Sequence, residues 1–289
     1  MKTSAEILAH RESQILSQAT SLVFKEIDGG PHLRAHLFLP QEDAGEPGAR
    51  RPAALFFYSA GWNTGSPTHF APQAMHLAER GVVSILIELR QHSTHGTGPA
   101  EAVADACSAF RWVRHHADRL AVDPGKVAGI AAYSAGLVLL AAAMSPSLVP
   151  EESDPPGTSG APNLLALFNP VVEVDKTITG YPLFHGREIR SLSPMNHIRK
   201  GLPPMLFFHG TADRLASFAA TEKFVSKMRW KRNDCSLIPF QGRDQGFYAF
   251  NFDPEAYEGT LYELDQFMVG QGYLPPAREG ESARLISVM

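Results

Sequence analysis

The chain has 289 residues, of which 44% are hydrophobic and 19% charged, and its formal net charge is −4. This composition excludes wholesale disorder, and with Lys and Arg scattered rather than clustered it gives no reason to expect a nucleic-acid partner. The length predicts one domain over residues 1–289 with a sizeable core.

The N-terminal stretch MKTSAEILAHRESQ alternates polar and apolar residues without the continuous apolar run of a signal peptide. No segment approaches the ~18 apolar residues of a membrane span. A cytoplasmic protein with no membrane association is the expectation. Next, SLVFKEID and LRAHLFLP flank GGPH, which predicts a hairpin: two strand-like runs joined at glycine and proline. After the breaker-rich QEDAGEPGARRP, short apolar runs rich in β-branched and aromatic residues alternate with helical patterns. AALFFYSAG, VVSILIELR, VAGIAAYS, LLALFNPVV and PPMLFFHGT are the runs, each predicting a buried strand. Between them, Val103, Ala106, Phe110, Val113 and Ala117 fall on one face of a helix at three- and four-residue spacing. Strand and helix alternating in this way predict an α/β fold, with a mostly parallel sheet, an N-terminal antiparallel hairpin and helices on both faces. Two long connections, residues 145–162 and 173–201, are expected to border a pocket. Cys107 in a helix and Cys235 at the start of a strand read as buried thiols.

VAGIAAYSAGLVLLAAAM places a serine between an apolar strand and an apolar helix. A serine on such a sharp turn carries its hydroxyl at the carboxyl edge of the sheet, beside a helix N-terminus and the next backbone N–H. Gly136 supplies the small residue two positions after Ser134, and Ala132 stands where the pattern G-x-S-x-G has glycine. A helix cap is the alternative role for Ser134.

With FFYSAGWNTGS, the stretch from GPAEAVADACSAFRWVRHHADRLAVDPGKVAGIAAYSAG and PPMLFFHGTADRLAS, the chain resembles the esterase/lipase branch of the α/β-hydrolases, the branch with a His-Gly-Gly-Gly-Trp strand end. The resemblance runs from about residue 22 to about residue 270. It implies Ser134 as nucleophile and Asp213 as the triad acid, with a turn-closing or helix-capping role as the alternative for Asp213. It also implies backbone donors to an oxyanion at Ala60, Gly61 and Ala135. Tyr58, Ser59 and Ala60 replace His-Gly-Gly, and Trp62 matches the motif's aromatic, with core packing as its alternative. Tyr58, Ser59, Trp62, Tyr133 and Phe247 are thereby expected around the substrate.

The triad order in this fold is serine, acid, histidine. No histidine follows His209, and the family's His-Gly-Phe is represented by Gln245-Gly246-Phe247. A glutamine does not titrate, so it can neither take a proton from serine nor return one. His69, His95 and Asp244 are candidate substitute bases, each with a solvated loop position as its alternative. His115 and His116, near a helix C-terminus, are weaker candidates. Three functions follow: an esterase-like hydrolase of small acyl substrates with an unusual base, a non-hydrolytic enzyme (lyase, isomerase or cyclase) using the oxyanion hole, or a binding protein without turnover. No ligand spacing for a metal and no phosphate or dinucleotide loop is present, so neither metal nor cofactor is expected. A small-molecule substrate is the expected partner, and oligomeric state is unspecified.

Overall fold

A computed structural model describes residues 4–40, 49–145 and 151–276. In chain order the elements are α1 (Ser4–Leu16), β1 (Thr20–Lys25), β2 (Leu33–Phe38), β3 (Arg51–Ser59), α2 (Ala71–Glu79), β4 (Val83–Ile87), α3 (His92–His95) and α4 (Pro99–His115). They continue with β5 (Val122–Ala132), α5 (Tyr133–Met144), β6 (Leu164–Phe168), α6 (Glu188–Ser191), β7 (Met205–Gly210), α7 (Phe218–Trp230), β8 (Cys235–Phe240) and α8 (Pro254–Gly270). The strands form one sheet in the order β1-β2-β4-β3-β5-β6-β7-β8. β1, β2 and β4 pair antiparallel, and every pairing from β4 through β3 to β8 is parallel. The α/β fold with an N-terminal antiparallel hairpin is thus the one the sequence predicts. Residues 41–48, and 146–150 of the expected connection 145–162, lie outside the described residues.

The strand sequences explain the layering. Side chains alternate between the two faces of a strand, so in β3 Leu55 and Phe57 enter one core with α4, α5 and α7, while Ala54 and Phe56 enter the other with α2 and α8. Both faces of the parallel strands are therefore apolar. Helix α5, YSAGLVLLAAAM, is apolar all round because it is buried all round, from Ser134 to Met144. The other long helices start at recognisable signals. Pro99 opens α4 while Glu101 Oε2 accepts from the Gly98 N–H at 2.9 Å, and Ser217 Oγ and Asp253 Oδ1 cap α7 and α8. Cys107 and Cys235 are free and buried.

At the edge of the helical layer a buried charge cluster joins three elements. Lys25 Nζ of β1 lies 2.7 Å from Asp105 Oδ1 of α4 and 3.0 Å from Glu151 Oε1, and Arg90 Nη2, just beyond β4, lies 2.7 Å from Asp105 Oδ1 and 2.9 Å from Glu151 Oε1. Asp105 is fully buried and contacts both cations.

Candidate active site

The carboxyl ends of β3, β5, β6 and β7 meet around a cavity of about 230 Å³ lined by Tyr58, Gly61, Tyr133, Leu215 and Gln245, with Ala60, Ser134, Val171, Thr179 and Ala216 completing the wall. This is the edge at which parallel α/β sheets assemble their sites. Two glycines allow the close approaches that shape it. A Cβ on Gly136 would sit 2.6 Å from Cβ of Pro170, so α5 can pack against the segment after β6 only without a side chain there. A Cβ on Gly210 would come within 2.4 Å of the Arg243 carbonyl, so the end of β7 admits the loop carrying Asp244 and Gln245. Asn169 holds the same corner, its Oδ1 accepting from the Gly210 N–H at 2.9 Å.

The strand-to-helix turn differs from expectation by one residue. Tyr133, with φ of 53°, is the residue in the left-handed region, and its carbonyl accepts from the Val171 N–H. Ser134 follows it on the first turn of α5, 3% exposed, and its Oγ donates to the Ser59 carbonyl at 2.6 Å. Ser134 thus lines the cavity at the carboxyl edge of the sheet with its hydroxyl engaged by the main chain, one residue after the left-handed position. The helical rotation of about 100° per residue takes the side chain after the turn off its apex. The small-x-X-x-small pattern that pointed to Ser134 between Ala132 and Gly136 is met equally by Tyr133 between Ala131 and Ala135.

The Tyr133 hydroxyl donates to the main-chain carbonyl of Gln245, and it is hydrogen-bonded to the hydroxyl of Tyr248. The Tyr248 hydroxyl in turn lies 2.8 Å from His69 Nε2. The directions of this chain follow from its end. A carbonyl only accepts, so Tyr133 donates to Gln245, Tyr248 donates to Tyr133, and His69 donates from Nε2 to Tyr248. Burial pushes the phenols of Tyr133, Tyr248 and Tyr58 above their ordinary values, and it pushes His69 down to about 4. His69 stacks on Tyr58 with ring centroids 3.8 Å apart. It is a half-buried imidazole, held among aromatic rings rather than in an open loop.

The Asp213 side chain is fully buried. Its Oδ1 accepts from the N–H groups of Leu215 at 2.7 Å and Ala216 at 3.1 Å, while Oδ2 has no partner among the described residues. Burial raises its pKa, with a smaller contribution from Asp244 in the same direction. His209 Nε2 lies 3.7 Å from Oδ2 but donates to the Ala216 carbonyl at 3.2 Å, and burial lowers this imidazole to about 4. Asp244 is exposed and accepts from the Gly246 N–H at 2.9 Å. His95 Nδ1 accepts from the Gln91 N–H at 3.2 Å, and His115 and His116 end α4 away from the cavity.

Of the expected oxyanion donors, Ala60 lines the cavity and its N–H donates to the Thr64 carbonyl at 2.7 Å. Gly61 lines the cavity, whereas Ala135 is buried behind it. Among the residues expected around the substrate, Tyr58 and Tyr133 line the cavity, and three others do not. Trp62 is 1% exposed and packs edge-on against Phe184, Phe247 stacks on Phe240 at 4.4 Å, and Ser59 is buried beneath Ser134. Polarity separates the rings: Trp62 and Phe247 bury in the core, while Tyr58 and Tyr133 stay at the cavity wall. Val171, Thr179, Leu215 and Ala216 were not singled out from the sequence. Their only signal is position, just after β6, inside the connection 173–201, and just after Asp213. No set of three His, Cys, Asp or Glu side chains among the described residues could hold a metal ion, and no described helix is long and apolar enough to cross a membrane.

The fold matches that of solved esterases. Esterase 2 of Thermogutta terrifontis, phosphorylated by paraoxon, superposes with a TM-score of 0.84 at 36% identity, covering 91% of this chain and 97% of that one. The chain belongs to the esterase branch of the α/β-hydrolases. The propionate-bound form of the same esterase gives a TM-score of 0.83 at 36% identity, again over 91% of this chain and 97% of that one. A probable isoprenylcysteine alpha-carbonyl methylesterase from Arabidopsis thaliana is 22% identical over 240 residues, covering 74% of this chain. The chain spans about half (48%) of the length of that relative. No family model matches. Membership in this esterase branch makes the protein a hydrolase of the carboxylic-ester class, and it leaves open which of its own groups act.

Proposed function

We propose that this esterase-family protein holds small carboxylic esters, and the acids they release, in the cavity beside Tyr133, and hydrolyses esters slowly without an acyl-serine intermediate. The observation that carries this reading is that neither hydroxyl at the strand-to-helix turn has a titratable acceptor. Ser134 donates to the Ser59 carbonyl and Tyr133 to the Gln245 carbonyl. An acyl-serine route needs a base that takes the serine proton and returns it to the leaving group.

The remaining groups support binding and partial stabilisation. Gly61 and the N-terminus of α5 face the cavity and favour negative charge developing on an acyl oxygen. Asp213 fits the place of a triad acid, and its unpartnered Oδ2 fits the absence of a histidine at position 245. Sites stripped of triad members retain roughly 10³ to 10⁴-fold acceleration over water from oxyanion stabilisation and binding. The cavity volume suits a short acyl chain, and the Thermogutta esterase is described in propionate-bound and butyrate-bound forms.

The test is hydrolysis of p-nitrophenyl butyrate together with calorimetric titration of butyrate. Measurable butyrate binding with turnover insensitive to Ser134→Ala supports the proposal. A burst of nitrophenol with acyl mass added at Ser134 refutes it, and so does the absence of both binding and turnover.

A further inference from the structure

We infer that Tyr133, rather than Ser134, stands at the position where esterases of this fold place their nucleophile, so that a phenol held by Tyr248 and His69 faces the acyl group of a bound ester. Its role toward the ester rests on the reading above, whereas its position is tested independently of any ligand.

Three observations converge on Tyr133. First, the nucleophile of this fold sits on a strained strand-to-helix turn, and the left-handed residue between β5 and α5 is Tyr133, with φ of 53°. A non-glycine residue in that region is held there only where its surroundings fix it, and here the Val171 N–H binds its carbonyl while its hydroxyl is bound at the far side of the cavity. Second, the Tyr133 hydroxyl reaches the main chain of Gln245, the residue aligned with the family histidine. Third, Ser134 lines the cavity wall but is only 3% exposed, and its Oγ donates to the Ser59 carbonyl at 2.6 Å.

A serine at the apex would need an acceptor for its proton. A buried phenol needs only to stay neutral, and burial keeps it so while the hydrogen-bond chain fixes where its hydroxyl points. Tyr248 is fully buried and its backbone carbonyl is fixed by Gln73 Nε2 at 3.1 Å, so the chain from His69 to Tyr133 has one geometry. Tyr133 is thus a hydrogen-bonding residue where the family has a covalent one, and its partner at position 245 is a main-chain carbonyl that needs no titratable side chain. The two changes belong together.

The experiment compares Tyr133→Cys with Ser134→Cys in iodoacetamide labelling followed by intact-mass spectrometry. The unaltered chain gives a low background because Cys107 and Cys235 are buried. Alkylation of Tyr133→Cys at least ~100-fold faster than Ser134→Cys is the expected result, and equal or reversed rates overturn the inference. If Tyr133→Cys loses its native melting transition, a second pair decides: Gln245→His alone against Tyr133→Ser/Gln245→His, each treated with paraoxon. In the double variant the introduced hydroxyl oxygen bonds to phosphorus, p-nitrophenolate leaves and the introduced imidazole takes the proton. A diethylphosphoryl adduct at position 133 of the double variant, with at least ~100-fold faster p-nitrophenyl butyrate turnover than the single variant, supports the inference. An adduct on Ser134 in Gln245→His overturns it, as does a natively melting double variant with neither adduct nor gain.

Discussion

Tyr133 donates its phenolic hydrogen to the main-chain carbonyl of Gln245, tying the strained turn after β5 to the loop after β8 across the mouth of the cavity. Under the assignment of Tyr133 proposed above, the places of nucleophile and base are joined by a neutral hydrogen bond with no proton to exchange.

The first prediction concerns Ser134. Its hydroxyl serves the Ser59 carbonyl, so Ser134→Ala is expected to change p-nitrophenyl butyrate turnover by less than ~3-fold while lowering stability by about 1 kcal/mol, the usual worth of one buried hydrogen bond. Steady-state kinetics and urea denaturation on the same preparation check both halves.

Acid sensitivity follows from the buried imidazoles. His69 and His209 titrate at about 4 in the folded chain, below the ordinary value of 6.5, so the unfolded chain binds more protons between those values. Stability is then full above pH ~6.5 and declines as pH falls toward ~4, by on the order of 3 kcal/mol for each imidazole. Asp213, raised by burial, has the opposite sign and offsets part of the loss as it protonates. Thermal melting from pH 7 to pH 4.5 should show a steep decline, less steep in His69→Gln; a flat profile contradicts the burial of these rings.

The charge cluster under α4 gives a larger effect. Asp105→Ala leaves Lys25 and Arg90 facing each other in a buried site with only Glu151 between them, and a loss of about 3 to 5 kcal/mol is expected. Denaturant titration measures it, and Asp105→Asn should lose a comparable amount because the hydrogen bonds survive only in part while the charge does not.

Packing at the cavity floor provides the last prediction. Gly136→Ala puts a methyl 2.6 Å from Pro170, and since α5 is buried on all sides the overlap cannot be relieved outward. A destabilisation of about 1 to 3 kcal/mol is expected by chemical denaturation, with weaker butyrate binding as α5 shifts.

Much of this molecule could be read along the chain because the signals are local. Apolar runs such as MLFFHG and VAGIAA have nowhere to go but a doubly covered sheet, GGPH can only turn, and Asp213 beyond β7 sits at the sheet edge by connectivity alone. The absence of any histidine after His209 is likewise a fact of sequence, and no packing can reverse it. What the tertiary structure decided is which of two adjacent residues stands at the apex of the turn, since AAYSAG satisfies the small-residue pattern in both registers and only the pairing of β5 with β3 and β6 selects Tyr133. It also decided that His69 packs against Tyr58 and Tyr248 and that Trp62 and Phe247 belong to the core. Residues 69 and 248 are far apart in the chain, and whether a side chain meets solvent or another ring depends on neighbours that local sequence does not name.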